Sequence, residues 1–509
     1  MHKRYSVFWS KEGEKRPGTR RNAAGPCLTV RPKMGYHKAK RERRFRRPSG
    51  RGRQRGTSEM QNAKNLYILS DTNAFTRGEL DNVALTEDGV CLEQVAGRHV
   101  LYGCFTSQPV NLPAFDRLVM SWNADTPPGT VVEAQARVRV GEEWSGWLSF
   151  GKWSPYIQRA SVTGSEDAPV FMWRNVLHVA KGRAVQAQLR IYLYTDDERL
   201  TPRVWLLAAS VRPVDGDSEP PALYSRALHL PAYSQNLRDP ALRDGMSTPV
   251  TLAGMLNRWG QDVLPEELAQ AMLDHGDSDM GTRNFSFGAA LAGSLGYRAY
   301  LAYLEPERLW QCIKQGNSVG VFMRYADCEE QAAATGKVYL PGAFADVEAQ
   351  MMALRGFEVT EEGSFALVND SLAPTDAEAE RSYPLDAFWK AYQGLALVIT
   401  GRQKGRGEGC PHRRHARLRP LEQVGSYIFQ DENGQDLPLP EDFSGTLACA
   451  VAGDAVHATT AHKTFRFLKP TAQGGVQLPP ELFGGKGRIT VYAIEPNGCA
   501  LVGDVHLPG

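Results

Sequence analysis

A serine at the predicted start of a helix is the first position in this sequence where residue types and spacing could support chemistry. After a polar loop, Leu252, Met255, Leu256 and Trp259 recur at the i, i+3, i+4 and i+7 spacing of one apolar helix face. A helix N-terminus carries partial positive charge and free backbone N–H groups, which stabilise an anion such as a thiolate or an oxyanion. We therefore expect Ser247 to lie where a nucleophile would be helped.

The same serine also has a purely structural interpretation. Ser247 or Thr248 can cap the helix, because a side-chain oxygen accepts a hydrogen bond from a free backbone N–H group. Pro249 suits the first helical position, where its missing N–H would have had no partner. Local sequence leaves both interpretations open.

The stretch around Ser247 carries a longer pattern, with Tyr233-Ser234-Gln235, then Ser247-Thr248-Pro249-Val250-Thr251, then Trp259-Gly260. It resembles papain-like cysteine peptidases of the bacteriocin-processing, double-glycine leader type, in the bacterial branch with an N-terminal β domain. Members of that branch carry Tyr-Ser-Gln, then Cys-Ser-Pro-Thr-Ser and a Met- and Leu-rich helix ending in Trp-Gly. The resemblance implies that Ser247 stands where the nucleophilic cysteine would be. It also implies that Gln235 occupies the position that helps to hold the oxyanion.

Further along, the family shows Gly-His, Arg-Gly-Phe and Asn-Asp-Pro, each associated with a strand. This chain has Ala349-Gln350, Arg355-Gly356-Phe357 and Asn369-Asp370-Ser371. The resemblance therefore implies that Gln350 occupies the position of the histidine base, and that Asp370 is the residue that would orient it. The similarity covers roughly residues 98 to 400, and it implies a papain-like fold.

A pair formed by Ser247 and Gln350 is a poor catalyst on chemical grounds. A hydroxyl needs an adjacent base far more than a thiol does, and an amide is no base at physiological pH. We interpret the protein as a pseudopeptidase whose papain-like domain binds a peptide or protein in its cleft. One alternative is an active hydrolase of the same family that uses Ser247 with an unidentified base. Another is a carbohydrate- or cell-wall-binding protein that acts through its β domains. The tryptophans that would serve the last alternative are Trp122, Trp144, Trp147, Trp153 and Trp173.

The elements that must position these residues follow from composition and periodicity. We predict a multidomain chain with an antiparallel β-sandwich over residues 60–215 and an α+β papain-like domain over 222–400. A basic linker over 401–419 and a small all-β domain over 420–509 complete it. Strict alternation of apolar residues over 131–140 supports the first domain. Helices followed by strands support the second, among them a helix predicted over Pro306 to Lys314 and a strand predicted around Met351 to Val359. Residues 326–346 form a polar insertion that is either a lid or a plain surface loop.

Charge divides the 509 residues unevenly. Residues 1–59 contain 19 Lys and Arg against 4 acidic residues, and the remainder contains 40 against 53. We predict that this basic segment is disordered, either as a nucleic-acid-binding arm or as sequence upstream of a true start at Met60. Apart from this segment we predict no nucleic-acid partner.

Three remaining expectations concern the membrane, metals and cofactors. No run approaches the roughly 18 apolar residues that span a bilayer, and neither candidate start leads into a signal-like apolar core. We therefore predict a cytoplasmic protein with no membrane partner. Cys410, His412 and His415 lack a fourth ligand and stand among arginines, so we predict no metal and no cofactor.

Overall fold

A computed structural model describes residues 63–162, 164, 166–167, 169–214, 221–407, 413–451, 460–484 and 487–507. The basic segment 1–59 and most of the predicted linker at 215–221 therefore lie outside the described residues. The described part is mostly β structure in several sheets, with few helices. Its α-helices are α1 (Thr72–Phe75), α2 (Ser247–Asn257), α3 (Pro265–Met272), α4 (Phe285–Ser294), α5 (Pro306–Lys314), α6 (Glu329–Thr335) and α7 (Leu385–Ala391). Short 3-10 helices span Gln235–Leu237, Arg243–Gly245, Gly281–Arg283, Asp376–Glu378, Thr460–His462 and Pro480–Gly484.

Fourteen strands from the first part of the chain form one hydrogen-bonded sheet. They are β1 (Leu66–Leu69), β2 (Glu79–Asp81), β3 (Val83–Thr86), β4 (Gly89–Leu92), β7 (Tyr102–Thr106), β8 (Val110–Asp125), β9 (Thr130–Val140), β10 (Glu143–Trp144), β11 (Leu148–Trp153), β12 (Glu166–Asp167), β13 (Val170–Trp173), β14 (Val176–Val179), β15 (Ala184–Thr195) and β16 (Arg203–Pro213). A separate pair consists of β5 (Gln94–Val95) and β6 (Arg98–His99).

The long strand β8 joins what was predicted to be two layers. Residues from Val110 to Phe115 pair with β15, whereas residues from Phe115 to Asp125 pair with β16. A strand that changes partners in this way is how sandwiches turn a corner. On β9 the alternation expected from the sequence is present, since Val132, Ala134, Ala136 and Val138 are all fully buried.

The second sheet is antiparallel except for one short parallel pair. Its strands are β17 (Arg226–Ala227), β18 (Tyr297–Tyr303), β19 (Val319–Ala326), β20 (Val338–Tyr339), β21 (Val347–Thr360), β22 (Gly363–Asn369), β23 (Glu380–Pro384) and β24 (Tyr392–Arg402). The main path runs β18-β24-β19-β21-β22-β23, and β20 lies parallel to β19. Every residue of α2 is buried, so this helix is enclosed on all sides rather than amphipathic.

The edge of the second sheet is sealed by polar side chains of the first. Strand β18 pairs with β24 on one side, and on its other side three alternate N–H groups donate to buried side-chain oxygens. The acceptors are Asn123, Ser121 and Ser210, at 3.0, 3.1 and 2.9 Å. An unpaired strand edge buried without such partners would be costly. The two sheets therefore share one continuous core within the compact unit Arg53–Gly509.

Two small sheets complete the described chain. One contains β25 (Arg413–His415), β29 (Thr446–Val451), β30 (Phe465–Leu468), β32 (Gly487–Ile494) and β33 (Ala500–Leu507). The other contains β26 (Arg417–Pro420), β27 (Ser426–Gln430), β28 (Asp436–Leu437) and β31 (Val476–Gln477). Part of the predicted basic linker thus forms strands β25 and β26. Arg413 holds β25 to α3 through two hydrogen bonds with Glu267, at 2.9 and 2.8 Å.

No helix in the described ranges is long and apolar enough to cross a membrane.

Candidate functional site

Ser247 is the first residue of α2, and the expectation that it or Thr248 caps the helix is wrong. Met246 occupies the capping position, and no side chain makes a capping hydrogen bond there. The reason is that the 3-10 turn Arg243–Gly245 runs directly into the helix, so that a backbone turn replaces the cap. Pro249 is consequently the third helical residue rather than the first. Ser247 is buried, and its hydroxyl has no hydrogen-bond partner within the described part of the chain.

One turn further along α2, a threonine attaches the helix to the facing sheet. Thr251 donates its hydroxyl hydrogen to the carbonyl oxygen of Met351 at 3.0 Å. Met351 follows Gln350 on β21, so this contact brings the start of α2 and the predicted base position to the same place. Ser247 and Gln350 line one cleft of about 270 Å³, although no hydrogen bond joins them.

Gln350 is buried in a network that uses its amide completely. Its Oε1 accepts a hydrogen bond from the Tyr325 hydroxyl at 2.5 Å, and its Nε2 donates to Asp370 Oδ1 at 2.7 Å. A longer contact of 3.4 Å joins Nε2 to the hydroxyl of Ser371. Tyr383 donates to the other oxygen of Asp370 at 2.7 Å. Both ends of the amide are therefore turned towards the protein interior.

Asp370 lies behind Gln350 and acts only as an acceptor. Its carboxyl accepts hydrogen bonds from Gln350, Tyr383 and the backbone N–H of Leu372. Burial raises the pKa of the Asp370 carboxyl, and these three donors act in the opposite direction. Burial, together with the neighbouring Asp370, also raises the pKa of Tyr325 and of Tyr383. The two phenols thus remain protonated donors.

Gln235 reaches the same cleft from the loop before α2. Its backbone N–H donates to the carbonyl oxygen of Ser371 at 2.8 Å, and its Oε1 accepts from the Ser371 hydroxyl at 3.1 Å. This leaves its Nε2 without a partner among the residues that the structure describes. The structure thus brings Gln235, Ser247 and Gln350 into one cleft, with Asp370 directly behind them.

Several participants had no signal in the sequence analysis. Tyr325 is the penultimate residue of β19, and Tyr383 lies on the edge strand β23. Each joins the network through the pairing of distant strands rather than through a local motif. Ser371 directly follows the Asn-Asp pair of the resemblance, and this adjacency was the one available indication.

The rim of the cleft carries charges that are partly neutralised within the protein. Lys337 contacts Asp346 at 2.6 Å and Glu348 at 2.7 Å, and Arg324 contacts Glu348 at 3.1 Å. Burial lowers the pKa of Lys337, but the hydrogen bonds with these two carboxylates outweigh it and the pKa is raised. The polar insertion is therefore tied to the rim through Lys337. It contains α6 and β20 rather than a structureless loop.

A hairpin of the first sheet supplies one wall of the cleft. Strands β13 and β14 are joined by Arg174 and Asn175, both with positive φ (47° and 58°), and Arg174 lines the cleft. Asn175 is buried and donates from Nδ2 to Asn284 Oδ1 at 3.1 Å. Asn284 in turn accepts from the N–H of Phe287 and so caps α4. The N-terminal sheet thus contributes directly to the cleft of the second sheet.

The tryptophans that could have formed a sugar-stacking row are mostly engaged. Trp122 and Trp153 are fully buried. Arg137 lies 5.0 Å from the Trp144 ring and 4.9 Å from the Trp147 ring. The exception is Trp173, which is 51% exposed beside Arg174.

No histidine lines the cleft among the described residues. His462 packs against Tyr233, with ring centroids 4.6 Å apart, and its Nδ1 is 3.4 Å from Asp376. His275 lies at a different cavity. Cys410 and His412 fall outside the described residues, and within the described ranges no group of three or more His, Cys, Asp and Glu could hold a metal ion.

Comparisons with known proteins bear on the N-terminal part of the chain. The family model of the Peptidase C39 N-terminal domain matches residues 36–211. No curated protein matches the sequence. Among solved structures, vicilin from Corylus avellana (hazelnut) is 12% identical over 65% of this chain and 85% of that chain, with a TM-score of 0.09, too weak to carry an argument. The sheet that ends at β16 is thus similar to the N-terminal domain of C39 peptidases, which supports a C39 peptidase-like family.

Proposed function

We propose that residues 222–400 form a papain-like domain that has lost catalysis and binds a peptide or a peptide-like segment of a protein. In this proposal Ser247 and Gln350 stand at the nucleophile and base positions, Asp370 at the orienting position and Gln235 at the oxyanion position. The family-model match over residues 36–211 supports a peptidase relationship, because it falls on the domain that precedes this one.

The single observation that carries the proposal is the state of Gln350. Its amide oxygen is taken by Tyr325 and its amide nitrogen by Asp370. A group at the base position must reach the nucleophile's proton and accept it. An amide held in this way does neither, so the Ser247 hydroxyl keeps the low reactivity of an ordinary alcohol.

Two features support binding of an extended peptide. Strand β22 pairs with β21 only from Ala353 onward. Within the described residues, residues 347–352 of β21 are therefore paired with β19 on one side and with no strand on the other. An extended peptide can add to such an edge through main-chain hydrogen bonds. In addition, the Gln235 Nε2 and the N-terminus of α2 offer donors to a peptide carbonyl.

The rival proposal is a serine hydrolase with another base. It would require a histidine or a carboxylate near Ser247. The carboxylates that line the cleft are Asp244, Asp279, Asp346 and Glu348, all exposed. An exposed carboxylate is too weak a base to activate an alcohol. We therefore favour the binding function.

A peptide library tests this function. Peptides enriched on the wild-type protein should bind the variant Ala349→Arg at least about tenfold more weakly, because Ala349 is exposed and lines the cleft. The matched control is Ala333→Arg on α6, which is exposed and does not line the cleft. Affinity would be measured by fluorescence anisotropy, with mass spectrometry of the peptides after incubation.

Two results would contradict the proposal. Equal binding by the wild type and Ala349→Arg would place the peptide elsewhere. Cleavage of the peptides by the wild type but not by Ser247→Ala would show a working hydrolase.

A further inference from the structure

The tip of the β13–β14 hairpin brings an arginine from the N-terminal sheet into the cleft of the central sheet. We infer that Arg174 recognises a carboxylate of the bound peptide, and this inference rests on the proposed peptide-binding function. The inference draws on the charge balance of the cleft, the strain at the tip and the way the guanidinium is held.

The charge balance leaves the Arg174 guanidinium available. No carboxylate of the described residues lies within ion-pair distance of it, whereas Asp346 and Glu348 on the rim are held by Lys337. Asp244 and Asp279 also line the cleft, but both are exposed and therefore well screened. Arg283, a second arginine that lines the cleft, donates to the carbonyl oxygen of Asp279. A guanidinium in a partly dry cleft gains most from an oxyanion that accepts two of its N–H groups.

The backbone at the tip is one that arginine rarely adopts. Two-residue hairpin turns with positive φ at both central positions favour Asn or Gly, which adopt this conformation at little cost. Here Arg174 takes the first of these positions with φ 47°. Strain of this kind is typical of functional positions.

The side chain is also held in place before any ligand arrives. The Arg174 guanidinium lies 4.8 Å from the centre of the exposed Trp173 ring. Behind the tip, buried Asn175 is hydrogen-bonded to the capping residue of α4. A cation stacked on a ring keeps its outer N–H groups free for a carboxylate in a defined direction. This arrangement suits recognition better than an arginine on a mobile loop does.

The carboxylate could belong to an acidic side chain or to the C-terminus of the peptide, and one experiment separates these sources. Three pools of short peptides that carry an uncharged fluorophore and no other acidic residue would be compared by fluorescence anisotropy. One pool carries a Glu and an amidated C-terminus, the second a Gln and an amidated C-terminus, and the third a Gln and a free C-terminus. The wild type should bind one carboxylate pool about tenfold tighter than the neutral pool, the size expected for one charge-assisted interaction.

Arg174→Gln and Arg174→Gly should abolish this preference and keep the affinity for the neutral pool. Glycine accepts the positive φ, so the second variant guards against a folding defect. The matched control is Arg183→Gln, an exposed arginine directly before β15, which should keep the preference. Equal binding of all three pools by the wild type, or a preference that survives in Arg174→Gln, would overturn the inference while leaving peptide binding intact.

If no pool binds, the proposed function fails, and a second measurement decides the role of Arg174. Phenylglyoxal modifies free guanidinium groups, and peptide mapping reports the modification of each arginine. N-acetylglutamate amide should slow modification of Arg174 relative to N-acetylglutamine amide, and it should not protect Arg183. Equal rates at Arg174 with both additives would overturn the inference.

Discussion

On one side of the central cleft, Gln350 and Asp370 use their polar atoms inside the protein. On the other side, the Ser247 hydroxyl and the Arg174 guanidinium have no hydrogen-bonded or ion-paired partner in the described part of the chain. A buried, satisfied network contributes stability and rigidity, whereas unpartnered groups facing a cleft are free for a ligand. In the function that we propose, the side at the base position has a structural role, and the opposite side is available to a ligand.

The largest expected effect is on the stability that the hydrogen bonds of Gln350 and Asp370 contribute. Gln350→Ala should lower the free energy of unfolding by about 3 kcal/mol, because it leaves the Tyr325 hydroxyl and one Asp370 oxygen buried with a partner missing. Ser247→Ala breaks no hydrogen bond and should change this quantity by less than about 0.5 kcal/mol. Urea unfolding of both variants measures the contrast. Equal effects would mean that the two sides do not differ.

A chemical version of the comparison restores a reactive pair. In Ser247→Cys with Gln350→His, the imidazole would donate a hydrogen bond to Asp370, and the N-terminus of α2 would favour the thiolate. The pKa of the thiol should fall by about one unit relative to Ser247→Cys alone, so alkylation near neutral pH should be about tenfold faster. Iodoacetamide alkylation against pH, with the site confirmed by peptide mapping, measures this. Matching profiles for the two variants would show that Gln350 is not at the base position.

The hairpin that carries Arg174 should weaken in acid. Burial, with help from Arg117, lowers the pKa of His178 to about 4, and its ring stacks on Phe171 at 5.0 Å. Because the folded state binds this proton more weakly than the unfolded state, stability is lost as the pH falls from about 6.5 to about 4. We expect a loss of about 1–2 kcal/mol after allowing for the half-buried ring. The loss would be measured as the change, across this pH range, in the difference between the free energies of unfolding of the wild type and His178→Phe in urea. Free energies that change with pH in parallel for the two proteins would contradict the prediction.

The smallest expected effect concerns the backbone strain at Arg174, on the side of the cleft that is available to a ligand. Arg174→Gly should raise the free energy of unfolding by up to about 1 kcal/mol, because glycine adopts positive φ without strain. Arg183→Gly, where φ is not positive, should lower stability slightly. Thermal unfolding of the two variants would distinguish them. A loss of stability in Arg174→Gly would mean that the tip is not strained.

Local patterns predicted many of the elements but few of the contacts. The helix predicted over Pro306 to Lys314 has these bounds in α5, because a proline opens it and a glycine follows shortly after its end. The strand predicted around Met351 to Val359 lies within β21, because the apolar run from Met351 to Leu354 forms a buried stretch of that strand. Such elements are encoded in neighbouring residues.

Other features depend on residues that are far apart in the chain. The change of partner along β8 could not be predicted, because nothing in a strand specifies which strands it will meet. The same limit applies to the Tyr325 contact with Gln350, which is 25 residues away, and to the Arg174 tip, whose place at the cleft depends on packing between two sheets. The absence of a side-chain cap at α2 depended on the turn before it.

The central claim is that Ser247 cannot be activated, and labelling with a fluorophosphonate tests it most directly. We predict that Ser247 in the wild-type protein is labelled no faster than an ordinary serine, so that labelling is the same in Ser247→Ala. Peptide mapping identifies the labelled residue, and Ser234→Ala serves as the control for the neighbouring serine of the cleft loop. Rapid labelling at Ser247 that disappears in Ser247→Ala would contradict the account and show that a base reaches this hydroxyl.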